Sequence, residues 1–124
     1  MKSSPVIAID FDNTIAGYDE LLHALALERN LITQSMESSK TAVRDHVRSL
    51  TGGEILWQQL QAAAYGPNIQ HARLIPGVRE FLQHCSKTQC QVYIVSQKTE
   101  YAAQDGNRTN LRSAAMDWMV KHGF

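Results

Sequence analysis

The stretch "PVIAIDFDNTIAGYDE", residues 5–20, decides how the rest of the chain is read. Val6, Ile7, Ala8 and Ile9 form a short apolar run rich in β-branched residues, which reads as a strand buried on both faces. Asp10, Asp12 and Asn13 arrive where that strand ends, and Asp12, Asn13 and Gly17 supply turn chemistry directly after it. Two acids one residue apart at the rim of an apolar sheet repel each other unless a cation intervenes. Hard divalent ions such as Mg2+ favour such oxygen ligands. In an open α/β sheet, ligands sit beyond the carboxyl ends of the strands, where Asp10 lies. One carboxylate there can attack phosphorus while the other moves a proton to and from the leaving oxygen. The same acids could equally be solvated strand-end residues with Asx-turn roles.

Working outward, apolar spacing changes from two to three and four residues. Leu21, Leu22 and Leu25 predict a helix from Asp19 to about Asn30. "TQSMESSK", residues 33–40, reads as a loop ending in an N-cap at Ser38 or Ser39. Val43, Val47 and Leu50 stripe a second helix, which "TGG" at 51–53 interrupts. Leu56, Leu60 and Ala64 share one face of a third helix, from about Gly53 to Tyr65. "LIPGVREFLQHC", residues 74–85, predicts a helix starting near Pro76, with Val78, Phe81 and Leu82 facing inward. "QVYIVS", residues 91–96, reads as the second strong strand. A polar loop, "QKTEYAAQDGNRTN", and a last helix over about Leu111 to His122 complete the chain.

Composition narrows the classes of function. The 124 residues suit about one domain, and 44% are apolar. Twelve basic residues balance twelve acidic ones, which gives no basic footprint for nucleic acid. No apolar run approaches the ~18 residues of a membrane span, and the N-terminal run is too short for a signal peptide. The expected location is therefore the cytoplasm. Cys85 and Cys90 match neither a CxxC redox motif nor half a zinc site; they read as two free thiols, with a strained local disulfide as the alternative. The five histidines form no ligand-spaced pair. Lys40, Arg44 and Arg48 recur every four residues, a basic ridge that could face an anionic substrate or simply be solvated.

A second carrier of chemistry lies at the end of the second strand. Ser96 occupies there the place Asp10 occupies on the first, and a hydroxyl followed by loop amides suits phosphate oxygens. Lys98 adds a point charge two residues on.

Together these residues resemble a known family. "VIAIDFDNTI" resembles motif I of the haloacid dehalogenase-like (HAD) hydrolase superfamily, an apolar strand ending in DxDxT. "LIPGVREFLQHC" resembles the helix before motif II, and "VYIVSQKT" resembles motif II itself. The resemblance implies an α/β fold with an incomplete Rossmann-like core, its parallel strands at about 6–10 and 91–95. Residues 1–18 and 74–124 would form this core and residues 19–73 a small inserted helical cap of the kind that excludes water and selects substrate. It further implies that Asp10 is a nucleophile forming an aspartyl-phosphate and that Asp12 is the general acid/base. Both would hold Mg2+, Thr14 would brace the turn, and Ser96 would bind the phosphoryl group.

The chain departs from the pattern in two places. The family uses a lysine that neutralises the nucleophile and phosphate, for which Lys98 or Lys121 are the candidates. It also uses a later acidic pair at the metal, which is not found before "VKHGF". Two strands form a narrow parallel sheet. Either the sequence is the front part of a longer protein, or a second copy or partner chain covers the open edge. The expected activity is thus a Mg2+-dependent phosphohydrolase for a small phosphorylated substrate, impaired in this short form. The alternative is a non-catalytic HAD-like remnant or binding module. Carbon–halogen hydrolysis is less consistent with Asp12.

Overall fold

The computed structural model describes residues 5–95 and 110–124. Among these residues the protein is a mixed α/β chain with five α-helices and a small parallel sheet. The elements in order are β1 (Val6–Asp10), β2 (Ala16–Gly17), α1 (Asp19–Glu28), α2 (Lys40–Ser49) and α3 (Gly53–Tyr65). A 3-10 turn (Ile69–His71), β3 (Arg73–Leu74), α4 (Val78–Lys87), β4 (Gln91–Val95) and α5 (Leu111–Lys121) follow. None of these helices is long and apolar enough to cross a membrane.

Two compact units divide the chain: residues 1–17 with 74–97, and residues 18–73 with 98–124. In the first, β1 and β4 pair in parallel with Val6 opposite Gln91 and Asp10 opposite Val95. A parallel connection needs a long crossover, and α4 supplies the last part of it, packing along β4. β2 pairs with β3 in a second, two-residue ladder.

The strand run is not buried on both faces. Ile7, Ile9 and Val92 are half-buried, whereas Val6 is 61%, Tyr93 59% and Val95 51% exposed. Side chains alternate across a strand, so Val6, Ala8, Tyr93 and Val95 share one face. An apolar run shows only that its residues could be covered; among the described residues of this unit, nothing covers that face. The helix after "LIP" also departs from the sequence reading. Gly77 adopts φ 90 as its N-cap, a left-handed conformation suited to glycine, and the helix starts at Val78 rather than near Pro76. Cys85 is its buried residue, while Phe81, expected to face inward, is 42% exposed.

The helical unit is built differently. α1 buries Leu21, Leu22, Leu25 and Ala26, α2 buries Val43 and Val47, and the three helices pack pairwise. Ser39 caps α2 by accepting the Ala42 amide at 3.1 Å, which settles which serine does so. Gly53 starts α3 so close to the end of α2 that a β-carbon would strike the Val47 and Arg48 carbonyls. Trp57, rather than Leu56, is fully buried on α3, beside Leu60 and Ala64 along the helix. Tyr18 and Tyr65 meet edge to face at 4.7 Å. The sequence reading sets α5 with residues 74–124; the helix packs on α3 and the 3-10 turn. Trp118 anchors it there, fully buried, with its indole N–H donating to the Ala72 carbonyl at 3.1 Å.

Candidate active site at the end of the first strand

Asp10 is the last residue of β1, and its side chain is exposed. The ladder carries on one step beyond it, since the Phe11 amide donates to the Val95 carbonyl at 3.1 Å. The backbone then folds back sharply. The Phe11 carbonyl accepts from the amides of Ile15 at 2.9 Å and Ala16 at 3.1 Å, with Thr14 more distant at 3.4 Å. Asn13 makes the reversal possible by adopting φ 61, which asparagine tolerates better than most residues. Its amide donates to the Ala16 carbonyl at 2.7 Å, and Asp12 bridges to Ala16.

Buried apolar residues fix this loop on both sides of the acids. Phe11, Ile15 and Ala16 are each at most 2% exposed. The Ile75 amide donates to the Ile15 carbonyl at 2.9 Å, tying the loop to the segment before α4. Asp12, half-buried, and Asp10 therefore project from a backbone whose neighbouring groups are held by hydrogen bonds and packing. Groups held in this way lose little orientational freedom when they engage a ligand.

Beside the loop lies an open cavity of about 470 Å³ lined by Ile9, Thr14, Ile15, Ile75, Val78 and Phe81, among others. Its lining is mostly apolar, with Thr14 adding a hydroxyl residue. Sequence reasoning named Thr14 as a brace but missed Phe11, Ile15 and Ile75 as the anchors. The available signal was the apolar–polar alternation through "DFDNTI", which places Phe11 opposite in facing to Asp10 and Asp12.

The side chains at the strand end are of the type that hard cations take as ligands, oxygen donors. Asp10 and Asp12 offer carboxylate oxygens, and Mg2+ commonly binds through one or two carboxylates while keeping several waters. No group of three or more His, Cys, Asp or Glu residues among the described residues is arranged to hold a metal. Asp10 and Asp12 are the two carboxylates that the strand end presents.

Ser96 and Lys98 lie outside the described residues. Lys121, the other lysine considered, is on α5 in the helical unit and donates to the Gln70 carbonyl at 3.4 Å. The basic ridge on α2 is engaged locally. Lys40 donates to the Tyr65 hydroxyl at 2.8 Å, Arg44 pairs with Asp45 at 3.1 Å, and Arg48 pairs with Glu54 at 2.9 Å. Comparison with protein-family models, with curated proteins and with solved structures finds no match to this chain.

Proposed function

We propose that the protein is a Mg2+-dependent phosphohydrolase for a small phosphorylated substrate, of the HAD type that its motifs resemble. The observation that carries this reading is the exposed Asp10 at the carboxyl end of a parallel strand, followed by a pinned reversal that presents Asp12 two residues on. Carboxyl ends of parallel strands are where open α/β folds bind ligands.

In the proposed reaction, an Asp10 carboxylate oxygen attacks the substrate phosphorus and the ester P–O bond breaks. Asp12 gives a proton to the departing oxygen, which leaves as an alcohol. Asp12 then takes a proton from water as that water attacks the phosphorus of the aspartyl-phosphate. Inorganic phosphate departs and the Asp10 carboxylate is restored. Mg2+, when bound, neutralises phosphate charge and orients the phosphoryl oxygens. Ser96 is assigned to hydrogen-bond the transferring phosphoryl group and Lys98 to offset its charge. The apolar cavity beside Thr14 offers room for the non-phosphorylated part of a substrate.

The test is hydrolysis of a generic aryl phosphate with and without Mg2+. The expected result is turnover that needs the metal, is abolished in Asp10→Asn, and falls about 10²- to 10⁴-fold in Asp12→Asn. Turnover unchanged in Asp10→Asn would refute the nucleophile assignment. Phosphate binding that depends on Asp10 without any turnover would favour a non-catalytic binding module instead.

A further inference from the structure

The two cysteines sit at matched positions of a helix-ending motif. α4 finishes with Thr88 as its C-cap, and Gln89 then takes the left-handed conformation at φ 57. The Gln89 amide donates to the Ser86 carbonyl at 3.3 Å, and the Cys90 amide donates to the Cys85 carbonyl at 2.8 Å. This pair of bonds is the Schellman arrangement, in which the residue after the left-handed one folds against the residue five positions earlier. Side chains at those two positions commonly touch through apolar groups. Here both are thiols. The Cys85 thiol is pushed above its ordinary value by burial first, then by the charge of Cys90 and a side-chain hydrogen bond with it. The turn sets the two residues side by side at the end of α4, each a free cysteine.

Their exposure differs in a way that sets an order of reaction. Cys85 is 3% exposed, whereas Cys90 is only half-buried, at the turn into β4. Oxidants reach the accessible thiol first, and a second thiol beside it in the fold can resolve the product.

We propose that Cys85 and Cys90 are a reversible redox pair that closes to an intrachain disulfide when the protein meets a peroxide. Cys90 is the thiol that meets the oxidant and Cys85 is the resolving thiol. The Cys90 thiolate attacks a peroxide oxygen, the O–O bond breaks, and Cys90 becomes a sulfenic acid while water or an alcohol departs. The Cys85 sulfur then attacks the Cys90 sulfur. The S–S bond forms, the S–O bond breaks, and the hydroxide leaves as water with the Cys85 proton. Two thiols lose two electrons and two protons, and one peroxide is reduced. A dithiol reductant reverses the step by thiol–disulfide exchange. The bond would clamp the end of α4 to the start of β4, within the strand-bearing unit and away from Asp10.

Lys87 lies between the two cysteines, so trypsin separates them into different peptides. The full-length protein is treated with hydrogen peroxide, quenched by alkylation and digested. The expected result is simultaneous loss of both thiols and a pair of peptides joined across the Lys87 cut, which dithiothreitol separates. In Cys90→Ser the remaining Cys85 is consumed at least about tenfold more slowly, because its sulfur is buried. In Cys85→Ser, Cys90 accumulates as a sulfenic acid that dimedone traps. Should Cys85→Ser fail to fold, the wild-type digest and Cys90→Ser decide the matter alone. Cys90 advancing by itself to sulfinic acid in the wild type would overturn the proposal. So would a disulfide found only between molecules, survival of both thiols, or an unslowed Cys85 in Cys90→Ser.

Discussion

In the helical unit, Tyr18, Trp57 and Trp118 are each sealed to 1% exposure or less, while in the strand-bearing unit Val6 and Tyr93 remain 61% and 59% exposed. Both units draw on similar apolar residue types. The helices arrange theirs on facing stripes that close on one another, and three helices plus α5 supply enough surfaces to do so. A two-stranded sheet has two faces and two edges to cover, and among the described residues α4 packs along β4. Stability thus resides mainly in the helical unit, and the candidate chemistry resides in the thinner one. Functional segments are commonly drawn from the less stable parts of a fold.

This contrast is broken most severely by removing an aromatic anchor. Trp118→Ala should cost about 3–5 kcal/mol, read as a lower denaturation midpoint, because it leaves a large cavity and strips the Ala72 carbonyl of its donor. A shift within the error of the measurement would mean that α5 contributes little to the helical unit. Next in size is Gly53→Ala. Its new methyl meets backbone carbonyls rather than a flexible side chain, so α2 and α3 must separate at about 1–3 kcal/mol. A neutral Gly53→Ala would show that this junction yields easily. The smallest effect belongs to the open sheet face. Tyr93→Ser should change stability by no more than about 0.5 kcal/mol in the isolated chain, since the ring is largely solvated already. A loss above about 2 kcal/mol would mean that the face is covered in solution.

Much of the helical unit was legible from spacing alone. Val43 and Val47 fall four residues apart on α2, Ser39 precedes a helix as caps do, and Gly52–Gly53 marks the junction. Both strands of the parallel pair announced themselves through β-branched runs. Other features depend on contacts that no local pattern encodes. Trp118 sits on a weakly patterned helix, and its buried indole donates to a carbonyl 46 positions away. The left-handed Gln89 that brings Cys85 and Cys90 together carries no glycine to signal it. The openness of the sheet was hidden for a different reason: an apolar strand reads the same whether or not a second layer covers it.

At the candidate site, the strand end at Asp10 and the turn directly after it were legible in the sequence, whereas the contacts that pin the turn were not. Asp12, Asn13 and Gly17 signalled the turn. The anchoring by Phe11, Ile15 and Ile75 needs hydrogen bonds between segments about 60 residues apart in the chain, as from Ile75 to Ile15.

The central claim is that Asp10 becomes phosphorylated during turnover. Borohydride cleaves an aspartyl-phosphate reductively and leaves homoserine, so the modified position can be read by peptide mass spectrometry. Protein mixed with an aryl phosphate and Mg2+, then quenched with borohydride, should carry homoserine at position 10 and an unaltered residue at position 12. Phosphate release with aspartate intact at position 10, or homoserine formed elsewhere in the chain, would contradict the account.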